Sequence, residues 1–184
     1  MVQGVWEMIR YADDFIIQCT SRAAAETALA EVREWMEAAG LTLHPEKTRI
    51  VDATVPGGFD FLGWHFERGY KWPRDKSLDR FKEVLREETP RNSGLSLDVI
   101  IERLNRRLHG WYRYFRGGVL NVYQRLDQWL RGRLRSVLRR RDKRKGRGRG
   151  RDQNRYPNDY FAELKLISLY ASAQAERTSP ATCG

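Results

Sequence analysis

The segment SLDVIIERLNRRLHGWYRYFR, residues 96 to 116, constrains the fold more than any other part of the chain. Leu97, Ile100, Ile101, Leu104, Leu108, Trp111 and Phe115 recur at helical spacing behind Ser96, a residue type suited to an N-cap. An apolar stripe of that length must be covered by other elements to leave water. Gly117 and Gly118 stop it. A second pattern, from about Asn121 to Arg141, would bury Val122, Leu126, Trp129, Leu130, Leu134 and Val137. Ahead of both, SLDRFKEVLREE reads as a helix closed by the break PRNSG. The tail YPNDYFAELKLISLYASA turns apolar again and is expected to dock back on these helices.

The first part of the chain follows a different period. Residues 8 to 12 and 15 to 19 read as short strands around Ala-Asp-Asp, the second built on Phe15, Ile16 and Ile17, so Asp13 and Asp14 fall at a hairpin tip. TSRAAAETALAEVREWMEAAG predicts a helix capped by Ser21 and ended at Gly40. Pro45 marks a turn before a strand at Thr48 to Val51, and GGFDFLGWHFERGYKW suggests a second hairpin. The expected order is β-β-α-β-β-β, a sheet covered by a helix. The fold class is α+β. Antiparallel hairpins plus a helix occupy residues 1–72 and a helical domain residues 73–142. A flexible basic Gly/Arg segment at 143–156 and a docking segment at 157–184 follow.

Charge is unevenly distributed. The chain carries a formal +10, but residues 131 to 155 hold 13 Lys or Arg against two Asp, so the remainder is close to neutral. A concentrated cationic stretch of this kind points to a polyanionic partner. Cys19 and Cys183 lie far apart without metal-ligand spacing, which fits a reducing compartment. With neither a bilayer-length apolar run nor a signal peptide in view, a cytoplasmic protein without membrane association is expected.

Two adjacent carboxylates at a hairpin tip repel unless a cation neutralises them, and a divalent metal is the obvious one. Asp is also a common turn residue, so Asp13 and Asp14 alone leave a solvated turn open. The surrounding order of motifs narrows this. YADD, then a helix, then GLTLHPEKT, then FDFLGW resembles the second half of a reverse transcriptase palm. LNRRLHGWYRYFR, VYQRLDQWLRGRLRSVLRRR and YPNDYFAELKL resemble the thumb and maturase-specific region of group II intron reverse transcriptases. The resemblance implies that Asp13, with Asp14 beside it, ligates Mg2+ for RNA-directed DNA synthesis. It implies that Lys47 lies near the incoming triphosphate, and that Phe61, Leu62 and Gly63 form a primer grip. Two magnesium ions would activate the attacking hydroxyl and stabilise the leaving pyrophosphate.

Such a polymerase also needs an aspartate from an earlier palm strand and fingers that hold template and nucleotide. Only Glu7 precedes Asp13 as an acid, so the chain is expected to be inactive alone. Function then falls to RNA binding. Arg106, Arg107, Arg113 and Arg116 interleave with Trp111, Tyr112 and Tyr114, offering cations to phosphates and rings to unpaired bases. Arg131, Arg133, Arg135, Arg139, Arg140 and Arg141 are expected to form a basic helix face leading into Lys143, Arg144 and Lys145. His65 and His109 have no companion ligands and read as structural. The expected partner is group II intron RNA, whose folding, splicing and mobility the chain would assist, with a DNA target within the family's range. The alternatives are half of a split reverse transcriptase that works with an N-terminal chain, or a remnant that binds nucleic acid by charge alone.

Overall fold

In the computed structural model, residues 6–92, 94–144 and 150–178 are described. The chain divides into two compact units. One runs through Phe61 and includes Phe66–Gly69; the other contains Leu62–His65 and the chain from Tyr70 on.

In the first unit, β1 (Trp6–Tyr11) and β2 (Asp14–Cys19) form an antiparallel pair registered from Trp6 opposite Cys19 to Tyr11 opposite Asp14. That register leaves Ala12 and Asp13 as a two-residue loop. Ala12 takes a φ of +53°, a conformation that glycine adopts more cheaply, and its carbonyl accepts a hydrogen bond from Arg10 Nε at 2.8 Å. Helix α1 (Arg22–Ala38) packs against this hairpin through its alanine-rich face, with Ala28 buried. Ser21 Oγ accepts from the Ala24 amide at its start. At its end Gly40, at φ +69°, donates to the Glu37 carbonyl while Leu41 donates to Met36, the paired bonds of a Schellman stop.

Thr48–Val51 is not a strand. The turn around Pro45–Lys47 and the turn in which Asp52 accepts from Thr54 confine it to a few residues, and β-branched side chains alone do not make a strand without a pairing edge. The hairpin expected from Gly57 onward has a third strand: β3 (Phe59–Phe61), β4 (Trp64–Glu67) and β5 (Tyr70–Pro73) form a meander in that order. Its two tight turns, Leu62-Gly63 and Arg68-Gly69, carry positive φ at both positions, as the right-handed twist of a hairpin demands.

The second unit is built around three long helices and a C-terminal return. Helices α2 (Asp75–Glu88), α3 (Leu97–Phe115) and α4 (Leu120–Arg141) contribute Phe81, Leu85, Ile100, Leu104, Leu108, Tyr123, Leu126, Leu130, Leu134 and Leu138 to one core. The chain then returns through α5 (Gly150–Arg155), α6 (Asn158–Glu163) and α7 (Leu169–Thr178), adding Phe161, Leu169 and Ala173. Residues 150–155, expected to be part of a flexible segment, are helical because Asp152 is buried and bonded there. Trp64 is buried against Phe115, with ring centroids 5.1 Å apart, which places the 62–65 turn with the helices rather than with the hairpin. No helix among the described residues is long and apolar enough to cross a membrane.

Glycines mark where packing is tight and where it is open. A Cβ on Gly118 would lie 2.8 Å from the buried Tyr123 hydroxyl, which itself accepts from the Gly118 amide. Gly118→Ala should therefore lower the unfolding free energy in urea titrations by about 1–3 kcal/mol. Gly132 sits in mid-helix with nothing within 4 Å of a Cβ. Gly132→Ala should raise stability by about 0.5–1 kcal/mol, the helix-propensity difference.

Candidate nucleic-acid interface

Most of the arginines expected to form a basic face on α4 are turned into the fold rather than exposed. Residues two apart on a helix point about 200° apart, so Arg133 leaves on the opposite side from Arg131 and Arg135, which lie four apart on one face. Each is bonded within the fold. Arg131 lies 3.6 Å from buried Asp127. Arg133 donates to the Thr89 hydroxyl at 3.1 Å and the Thr89 carbonyl at 3.0 Å. Arg135, only 7% exposed, donates to the Tyr156 carbonyl at 2.8 Å and to Asn158 Oδ1 at 2.9 Å, and its guanidinium lies over Phe161. Burial holds Arg133 and Arg135 below the usual guanidinium range, aided by Arg91 and Arg86 beside the first and Arg131 beside the second. Arg139 and Arg144 clasp Asp152, at 2.9 and 3.0 Å, and Arg141 donates to the Leu95 carbonyl. Of the α4 arginines that were expected to meet RNA, Arg140 alone is exposed, joined by Lys143 just beyond the helix. Lys145 lies outside the described residues.

The open cationic surface lies on α3 instead. From Arg103 to Arg116 the sequence holds five arginines and no carboxylate, and all five side chains are exposed. Arg106 makes only a loose 3.9 Å pair with Glu102, and Arg107 donates to Glu88 at 2.9 Å. His109 lies exposed on the same helix face. The aromatic residues divide. Trp111 is half-buried, stacked on Phe81 at 4.8 Å, and Tyr112 is half-buried beside Tyr123, its phenol pushed up by burial and then by the Glu176 carboxylate. Tyr114 is exposed and donates to the Leu62 carbonyl at 2.8 Å. That bond ties the Leu62-Gly63 turn to the end of α3, while Ser77 Oγ donates to the Gly63 carbonyl at 3.0 Å. Arg103 is not among the arginines expected to meet RNA, although its spacing of three and four from Arg106 and Arg107 puts it on their face. His65, half-buried, is tilted against Trp72 at 4.7 Å.

The first unit presents its carboxylates at the tip of the β1–β2 hairpin. Asp13 and Asp14 are exposed, side by side, one in the loop and one opening β2. Two hard-oxygen donors suit Mg2+, which commonly takes one or two protein carboxylates and completes its shell with phosphates and water. Among the described residues, no group of three or more His, Cys, Asp or Glu side chains comes together. Lys47 is exposed in the turn after Pro45, its amide donating to the His44 carbonyl at 3.2 Å. Phe61 closes β3 and is half-buried.

Residues 5–66 match the model of the reverse transcriptase (RNA-dependent DNA polymerase) family, and residues 78–156 match the group II intron, maturase-specific domain. The chain therefore carries a reverse-transcriptase palm segment followed by the maturase-specific domain of group II introns. The chain has no match among the curated proteins.

Two outcomes follow from the ion pairs of Asp152 and Asp142. Asp152→Ala should cost about 1.5–3 kcal/mol in chemical denaturation, since it removes the hydrogen-bond acceptor of Arg139 and the ion-pair partner of Arg144. The Asp142 carboxyl is held below its ordinary 3.8 by the Tyr156 hydroxyl and then by Arg144 and Arg155. A depressed carboxylate adds stability that is complete above the ordinary value and vanishes as pH falls through the folded-state value. The stability gap between the wild type and Asp142→Asn should thus be constant near neutrality and close below about pH 4.

Proposed function

We propose that this protein binds group II intron RNA through the exposed face of α3 and assists the folding, splicing and mobility of that RNA. The observation that carries the reading is the run of five exposed arginines from Arg103 to Arg116, without a carboxylate among them, inside the segment that matches the maturase-specific domain. Cations on one helix face grip phosphates and release the counterions that screened them, so removing one such cation makes binding less sensitive to salt. Arg140 and Lys143 add to the basic surface. The other α4 arginines brace the fold and contribute only to its overall field.

A second reading is favoured by the β1–β2 hairpin. Every residue of β1 is exposed, Trp6, Met8, Ile9 and Tyr11 among them, and among the described residues its only strand partner is β2. An open apolar strand edge recruits another strand. An N-terminal reverse transcriptase chain that completed the palm there would bring a further carboxylate to Asp13 and Asp14. Those two residues would then hold Mg2+, which supplies activation of the attacking hydroxyl.

Titration against a folded group II intron RNA and a length-matched unrelated RNA tests the first reading. The intron RNA should bind at least about tenfold tighter, or roughly 1.4 kcal/mol, and keep that lead as salt rises. In the double variant Arg106→Gln/Arg113→Gln the slope of log affinity against log salt should flatten by roughly two. Equal binding of both RNAs, fading together with salt, would instead mean attraction by charge alone. For the second reading, primer extension should require Mg2+ and an added N-terminal chain, and should disappear in Asp13→Ala.

A further inference from the structure

Gly110 interrupts α3 on its exposed side, and nothing among the described residues accounts for it. A Cβ built there would meet no atom within 4 Å. The contrast with Gly63 is plain: that residue has a φ of +83°, and a Cβ would sit 3.2 Å from Ser77 Oγ and 3.5 Å from Phe115. Gly110 carries the helix-propensity cost of glycine with neither a turn nor a close neighbour to require it.

Its surroundings are specific. On a helix surface the neighbours of position 110 are those three and four residues away, which are Arg106, Arg107, Arg113 and Tyr114. All four are exposed, and the Arg106 and Arg113 positions are about 10 Å apart along the axis. The bare backbone at 110 is thus a notch ringed by three guanidinium groups and one phenol ring. We propose that Gly110 is a close-approach point where the ribose-phosphate backbone of RNA seats against α3, with Arg106 and Arg113 gripping phosphates on either side. This rests on the RNA-binding reading of α3. A methyl group at 110 would hold the strand away from the helix and lengthen both arginine–phosphate bonds together.

Gly132 supplies the control. It is likewise a mid-helix glycine with open space around it, but its helix neighbours are Gln128, Trp129, Arg135 and Ser136, and Arg135 is buried and bonded. The experiment compares the wild type, Gly110→Ala, Gly110→Gln and Gly132→Ala for thermal stability and for affinity toward the folded intron RNA across salt concentrations. Both alanine variants should melt roughly 2–4 °C higher than the wild type. Gly110→Ala should lose about tenfold in affinity and Gly110→Gln more, with the salt slope unchanged because no charge is removed. Gly132→Ala should bind as the wild type does. Undiminished affinity in Gly110→Ala and Gly110→Gln would overturn the proposal while leaving the arginine face intact. A lower melting temperature for Gly110→Ala would also overturn it, by revealing a packing role. Failure of the wild type to prefer intron RNA, or an unchanged salt slope in Arg106→Gln/Arg113→Gln, would remove the underlying reading itself.

Discussion

The second unit depends on how α4 carries positive charge into the interior. Burying a cation is tolerated only when carbonyl and carboxylate oxygens replace its water. Arg135 finds the Tyr156 carbonyl and Asn158, Arg133 finds Thr89, and Arg139 finds Asp152, which is fully buried. The partners lie at the end of α2 and on the return through the short helices α5 and α6. The arginines therefore act as ties. They add polar anchors to the apolar ones, because a long guanidinium arm reaches past the core while its fork can satisfy two acceptors at once.

Carboxylates play the matching part at the C-terminus. Asp127, 4% exposed on α4, accepts from the Ser168 hydroxyl at 2.6 Å and from the amides of Leu169 and Tyr170 at 3.1 and 3.2 Å. A side chain from one helix thereby caps the start of another, α7, and satisfies amides that helix geometry leaves unbonded. Asn105 does related work nearby, donating to the Lys165 carbonyl and accepting from the Ile167 amide. With most of the α4 arginines so committed, the longest run of exposed arginines among the described residues is that of α3, whose apolar stripe faces the core.

The sequence was most legible where one period ran long. Ser96 caps α3, and Ile100, Leu104, Leu108 and Phe115 are buried as their spacing requires. Ser21 and Gly40 bound α1 for equally local reasons. The Asp13–Asp14 hairpin tip was readable from two strand-prone runs around a short polar turn. Thr48–Val51 was not, because β propensity records only a willingness to pair, and the pairing edge is supplied by tertiary structure. The Leu62-Gly63 and Arg68-Gly69 turns were similarly concealed: each puts a non-glycine residue at positive φ, which local preference disfavours and the meander imposes.

What the sequence by itself determined is the four longer helices α1 to α4, the carboxylate pair between two strands, and the sign of the charge each segment brings. These follow from backbone periodicity and side-chain chemistry within a few turns of chain. Tertiary structure alone decided which cations face solvent. Arg135 and Arg106 are the same residue type in similarly basic helices. One is buried because the chain returns through Tyr156 and Asn158 to meet it, and the other is exposed on its helix, with a loose pair to Glu102. A guanidinium's partners lie tens of residues away in sequence, so its availability to a nucleic acid is a property of the packed fold.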